Sequence, residues 1–203
     1  MNKLPPQIFD FVSRETADKF ITYFDLIQKW NRNTALVQVD TLDQFYSRHI
    51  LDSLQLISIL PTFSNGIDLG TGAGFPGMVL TIAGIHNITL CDSNQRKIIF
   101  LNELSRLIDV PCTTLCTRIE NITTPIYDLV ISRAYSNLST LLMQTLHVSR
   151  ETKNPVTGIF LKGKIVDNEI EFAYKEYDFN YDKINSITSD EGVILKVYNI
   201  RKL

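Results

Sequence analysis

Residues 65–77 read Asn65-Gly-Ile-Asp-Leu-Gly-Thr-Gly-Ala-Gly-Phe-Pro-Gly77, and this stretch constrains the fold more tightly than any other. Ile67-Asp68-Leu69 has the character of a buried strand end. Gly70-x-Gly72-x-Gly74 reads as a tight loop, and Met78 to Ala83 as the first turns of a helix. Glycine has no Cβ to hold a ligand away from the backbone. The free N–H groups of a helix start favour a negatively charged group nearby. Strand, glycine loop and helix in that order predict an α/β unit with a nucleotide or nucleoside site.

The dinucleotide fingerprint is spaced G-x-G-x-x-G. Here the spacing is G-x-G-x-G, and Asp68 stands two residues before the first glycine. We read this as a site for S-adenosylmethionine. No pyrophosphate needs cradling, and Asp68 lies within Coulomb range of an ammonium and a sulfonium. A purely structural turn is the competing reading. Asp92 supports the ligand: it ends the next apolar run, Ile88-Thr-Leu-Cys-Asp92, where a ribose-binding carboxylate is expected.

The chain has 203 residues and a net charge of −2. That length suits one domain, or one domain with an appendage. Residues 1–61 form the expected appendage, a helical extension. Phe20, Tyr23, Phe24, Ile27 and Trp30 recur at helical spacing. Thr41-x-x-Gln44 predicts a capping box for a second helix, with Ile50, Leu51, Leu54, Ile57 and Leu60 on its apolar face. Phe9, Phe11, Tyr23 and Trp30 read as core.

Residues 62–203 alternate strand and helix, which predicts a Rossmann-like parallel sheet with helices on both faces. Strands are expected at 65–69, 87–92, 112–116, 127–132 and 158–162. Helices are expected at 75–84, 94–108 with Ser93 as N-cap, from Leu138 with Asn137 as N-cap, and at 166–175. The final strands, 183–188 and 193–200, are joined by a short connection and should be antiparallel.

The charge excludes a generally basic nucleic-acid coat. The chain has no apolar run long enough for a membrane span, and its start lacks a signal peptide, which points to the cytosol. Cys91, Cys112 and Cys116 make no disulfide framework. Two of them lie in apolar strand-like runs and should be buried thiols. No metal is expected, because no His or third Cys stands near Cys112-x-x-x-Cys116.

Ligands of such sheets bind beyond the carboxyl ends of the strands. Those ends collect Asp68 and the glycines, Asp92, Arg118-Ile119-Glu120, Ser132-Arg133-Ala134 and Lys162-Gly163-Lys164. The acids and glycines suggest one pocket for a cofactor. The basic residues suggest a neighbouring one for a polyanion.

Arg48-His-Ile-Leu-Asp-Ser53, Asp68-Leu-Gly-Thr-Gly-Ala-Gly-Phe-Pro-Gly77, Leu90-Cys-Asp-Ser93, Ile131-Ser-Arg-Ala134 and Leu161-Lys-Gly163 together resemble the ribosomal RNA small-subunit methyltransferase G family, once called glucose-inhibited division protein B. The resemblance runs from about residue 20 to the C-terminus. It implies a bacterial cytosolic enzyme that moves methyl from S-adenosylmethionine to N7 of a guanine in the helix 18 loop of 16S rRNA, releasing S-adenosylhomocysteine. Gly70 and Phe75 would contact the cofactor, Ile119 and Glu120 would lie at its adenine end, and Arg133 beside its methionine part or the incoming base. His49 and Arg48 would lie over the active site, touching RNA or the cofactor loop, with a helix-surface pair as the rival reading. Arg118, Lys162 and Lys164 would face RNA, with solvated loop charges as the rival for Arg118, Arg133 and Lys162. Cys91 stands where the family usually has an apolar residue. Naked RNA, a 30S particle and an assembly intermediate all stay open as the partner. Nothing demands a protein partner or more than a monomer.

Guanine N7 already carries an in-plane lone pair, so the reaction needs alignment more than a strong base. Accordingly, the chain has no Asn-Pro-Pro-aromatic motif and no well-placed Cys nucleophile. A small-molecule or protein substrate on the same fold, and a nucleotide-binding module without transfer, remain as rivals.

Overall fold

The computed structural model describes residues 4–124 and 126–203. A seven-stranded sheet runs through the molecule in the order β3-β2-β1-β4-β5-β7-β6. β1 (Gly66–Leu69), β2 (Ile88–Asp92), β3 (Thr113–Cys116), β4 (Leu129–Arg133) and β5 (Thr157–Lys162) are parallel. β6 (Tyr177–Asn185) and β7 (Val193–Lys202) add antiparallel pairings at one edge. From β1 the chain goes to β2 and β3 on one side and returns to β4 on the other. The strand ends therefore part between β1 and β4, which is where such sheets open a crevice.

Both faces of the sheet are covered. Alternate residues of each strand point to opposite sides. Leu129, Ile131 and Ile159 join one core, with α3 (Gly77–Ile82) and α4 (Gln95–Leu107). Ile67, Leu69, Val130 and Phe160 join the other, with α5 (Leu138–Ser149) and α6 (Val166–Ala173).

The N-terminal helices complete the first core. α1 (Arg14–Asn31) is capped by Ser13, whose hydroxyl accepts from Thr16 N at 3.2 Å. It buries Phe20, Tyr23 and Ile27 beside Phe100 and Leu101 of α4. Tyr23 and Trp30 lie in this packing as expected, whereas Phe9 is 44% exposed.

The second N-terminal helix is less regular than its apolar pattern predicts. Residues 39–59 pass through a 3-10 turn (Val39–Gln44), a π turn (Tyr46–Leu51), the short α2 (Asp52–Leu54) and another 3-10 turn (Gln55–Ile59). Thr41 caps nothing in the expected way. Its hydroxyl donates to Gln38 O at 2.7 Å and also meets His49 Nε2 at 3.0 Å. A tertiary partner has taken the group that the capping box would use. The cap of α4 is Asn94, not Ser93, because Asp92 Oδ1 accepts from Asn94 N at 2.8 Å and sets the turn one residue later.

β6 starts six residues before the expected 183, since Tyr177 and Phe179 alternate with exposed Asp178 and Asn180. Of the thiols, Cys91 is buried, Cys112 half-buried and Cys116 exposed, the last because β3 is the sheet edge. No helix among the described residues is long and apolar enough to cross a membrane. No cluster among them could hold a metal ion.

Candidate functional site

A cleft of about 1150 Å³ opens at the carboxyl ends of β1, β4 and β5. Its walls are the glycine loop (Gly70 to Ala73, and Phe75), Arg133 to Asn137 after β4, Lys162 and Gly163 after β5, the 186–192 turn between β6 and β7, and residues 36–52 from the N-terminal segment.

The glycine loop is held from behind. Asp68 is fully buried under it, and its Oδ2 accepts from Thr71 Oγ1 at 2.6 Å and Gly77 N at 2.8 Å. Its Oδ1 has no partner. Burial pushes the Asp68 carboxyl up to about 7, although these bonds and Arg133 oppose the shift. Asp92 Oδ2 accepts from Gly72 N at 3.0 Å and lies 3.4 Å from Lys97 Nζ. Both acids thus shape the loop, and neither lines the cleft.

Gly70 and Gly72 have φ of +65° and +59°, in the left-handed region that glycine tolerates. A Cβ on Gly72 would meet only Gly70 O, at 3.7 Å, so the loop leaves room for a ligand there. Gly74 behaves differently. A Cβ on it would lie 2.5 Å from Tyr23 Oη and 2.8 Å from Leu101 Cδ2, so this glycine faces the core.

Arg133 ties the cleft together. One guanidinium nitrogen donates to Arg48 O at 3.0 Å, and the other approaches His49 Nδ1 at 2.7 Å. Asp52 Oδ2 is 3.6 Å away, and the group lies 4.8 Å from the Phe75 ring centre. Phe75 in turn stacks on His49 at 4.9 Å and on Tyr23 at 5.4 Å. Tyr23 Oη donates to Ala73 O of the same loop.

His49 is buried. Burial first, then Arg133 and Arg48, lowers its pKa to about 3. A neutral ring that accepts from Arg133 through Nδ1 carries its proton on Nε2 and donates to Thr41 Oγ1. Asp52 Oδ1 accepts from Thr188 Oγ1 at 2.7 Å and Gln55 Nε2 at 2.8 Å, while Gln55 Oε1 accepts from Ile187 N at 2.9 Å. Asp52 therefore latches the 186–192 turn to the N-terminal segment.

The structure gathers Arg48, His49, Gly70, Gly72, Phe75, Arg133 and Lys162 along one cleft. It leaves Asp68, Gly74, Asp92, Arg118, Ile119, Glu120 and Lys164 off its walls. Ile119 is buried, and Arg118 and Glu120 are exposed. The expected basic cluster is largely neutralised. Lys162 pairs with Glu169 Oε2 at 2.6 Å and donates to Ser136 O at 2.9 Å, so its ammonium is committed to the fold. Glu169 Oε2 also accepts from Leu138 N, at the start of α5. Lys164 pairs with exposed Glu191. His49 accepts from Arg133 and stacks on Phe75 of the glycine loop, so the structure sets it against the cofactor loop.

Thr41, Asp52 and Tyr135 are among the wall residues that the sequence reading did not single out as site residues. Asp52 lies in the same short run as Arg48 and His49, which was the available signal. Tyr135 follows Arg133 by two residues, but nothing in its spacing separates it from a surface tyrosine.

The family model for GidB, rRNA small subunit methyltransferase G, matches residues 16–196. A ribosomal RNA small subunit methyltransferase G of Orientia tsutsugamushi (strain Boryong) is 41% identical over 198 residues, covering 94% of this chain and 98% of that protein. Among solved structures, a ribosomal protein L11 methylase from Lactobacillus delbrueckii subsp. bulgaricus is 16% identical with a TM-score of 0.57, over 72% of this chain and 75% of that one. The N-methyltransferase NodS from Bradyrhizobium japonicum WM9, solved with S-adenosyl-L-homocysteine, is 15% identical with a TM-score of 0.54, over 85% and 97%. These two likenesses concern the fold.

Proposed function

The chain belongs to the rRNA small subunit methyltransferase G family, and from that premise we propose that it transfers methyl from S-adenosylmethionine to N7 of a guanine in the helix 18 loop of bacterial 16S rRNA. The reaction belongs in the cytoplasm, and S-adenosylhomocysteine is the other product. The supporting observation is the occupancy of the cleft's ionisable groups. Asp52 is held by Arg133, Gln55 and Thr188; Glu169 by Lys162 and Leu138 N; Glu191 by Lys164. His49 is neutral and accepts from Arg133. A site whose acids and imidazole are already engaged suits a nucleophile that needs positioning and no base.

The donor, when bound, supplies a methyl group on a sulfonium. The fit is favourable: Gly72 leaves open space, and the buried Asp68 Oδ1 beneath the loop is unpartnered. In this reading Gly70, Gly72 and Phe75 contact the donor. Asp92 holds the loop through Gly72 and reaches the ribose, and Ile119 and Glu120 flank the adenine. Arg133 fixes the wall between donor and base. Arg48 and Arg118, both exposed, take RNA phosphates; paired Lys164 adds weak contact at the rim. A monomer is sufficient.

Labelled methyl offered with small-subunit RNA from cells lacking the enzyme tests this. Mass spectrometry of digested RNA should place one added methyl on a guanine of the helix 18 loop. Label confined to protein or small molecules rejects the reading. A second reading, a small-molecule or protein methyltransferase, draws on the ion pairs that consume Lys162 and Lys164. Turnover on RNA should fall steeply with added salt; salt-insensitive turnover would favour the second reading.

A further inference from the structure

Methylation at N7 leaves the purine positively charged, so a site for it gains from a π face beside the base. Phe75 cannot offer one, because it is 4% exposed and enclosed by His49, Tyr23 and Arg133. His49 is itself buried against Phe75. Tyr135 differs: its residue is 42% exposed and it lines the cleft.

The Tyr135 ring is also fixed in place. It lies against Gly70, where a Cβ would fall 2.1 Å from its Cδ2. At its far end Gln144 Nε2 donates to the phenol oxygen at 3.4 Å. Ala134, with φ of +51°, turns the chain as it leaves β4. A ring anchored beside the glycine loop, with much of its surface still open to the cleft, is a platform for a planar group.

We propose that Tyr135 stacks on the target guanine and stabilises the charge that develops on it. This rests on the guanine-N7 reading above and names the residue that receives the base. The lone pair of N7 forms the new bond to the methyl carbon. The carbon–sulfur bond breaks with its electron pair staying on sulfur, so the positive charge passes from sulfur to the purine. No proton is transferred. A π face beside the ring is favoured more by the product-like transition state than by neutral guanine, so it raises the rate as well as the affinity.

Tyr135→Leu, Tyr135→Met and Tyr135→Phe test the assignment. Each is assayed by single-turnover methylation of small-subunit RNA from cells lacking the modification, by calorimetry with S-adenosylmethionine, and by thermal melting. The leucine and methionine variants should lose about 10- to 100-fold in turnover at saturating RNA, with cofactor affinity and melting temperature unchanged. The phenylalanine variant should recover most of the rate. A leucine variant as fast as an active wild type overturns the assignment. So does a loss traced to weaker cofactor binding, or a phenylalanine variant as slow as leucine. Wild-type protein that methylates no small-subunit RNA overturns both this assignment and the reading beneath it.

Discussion

Burial shifts two side chains beside the cleft in ways that oppose each other. Folded His49 stays neutral down to about pH 3, whereas a free imidazole protonates near 6.5. The unfolded chain then binds more protons, so His49 costs stability as pH falls below 6.5. Asp68 keeps its proton up to about pH 7, whereas a free carboxyl loses it near 3.8. The folded chain binds more protons there, so Asp68 costs stability as pH rises from 4 to 7. Each difference of one proton is worth about 1.4 kcal/mol per pH unit. Between pH 5 and 6.5 the two slopes oppose each other in the wild type. His49→Asn keeps an acceptor for Arg133 and should become more stable on acidification through this window. Asp68→Asn should become less stable. Denaturant melts at pH 5 and 6.5 would read both; parallel curves for the two variants would contradict the assignment. Asp92→Ala should weaken S-adenosylmethionine about tenfold or more by calorimetry while the fold persists, since it removes the acceptor of Gly72 N and our proposed ribose contact, worth about 1–3 kcal/mol together. An unchanged dissociation constant would remove Asp92 from the site.

The glycine loop divides its residues between two tasks, and substitutions should separate them. Gly74, at φ +102°, has Tyr23 Oη, Met78 Cβ and Leu101 Cδ2 all within 2.8 Å of where a Cβ would stand. Gly74→Ala should cost about 2–4 kcal/mol through overpacking and backbone strain, seen as a fall in melting temperature. Gly72→Ala meets open space, so its cost should be only the left-handed backbone, about 1–2 kcal/mol, while cofactor affinity drops. Equal destabilisation by the two would show that the loop has no open side. The 3-10 and π turns of 39–59 have a similar logic. Their irregular path brings Arg48 O, His49 and Asp52 to Arg133, and a uniform α-helix would space these groups differently.

At the scale of the molecule, we propose that residues 1–61 are an appendage in sequence, while their described part, residues 4–61, belongs to one core in space. Phe20, Tyr23, Phe45 and Ile50 are fully buried in the cluster that also holds Met78, Phe100 and Leu101. The same segment supplies one wall of the cleft. A fragment of residues 62–203 should therefore fail to unfold cooperatively and should bind a hydrophobic dye, because it exposes that face of α3 and α4. A cooperative melt and wild-type cofactor affinity in the fragment would show that the helices are dispensable.

Local order carried most of this architecture. The glycine loop, the alternation of apolar strands and helices and the Asn137 cap each depend on neighbours in sequence, so spacing alone revealed them. The same holds for the antiparallel final pair, although the start of β6 was missed. The functional geometry followed different rules. Whether a Lys162 or Lys164 charge is free, whether His49 faces solvent or accepts from Arg133, and which glycine fronts the cleft all depend on groups brought from elsewhere in the chain. Burial and long-range pairing decide those outcomes, because hydrogen-bond partners and desolvation are properties of the packed molecule and not of any short stretch.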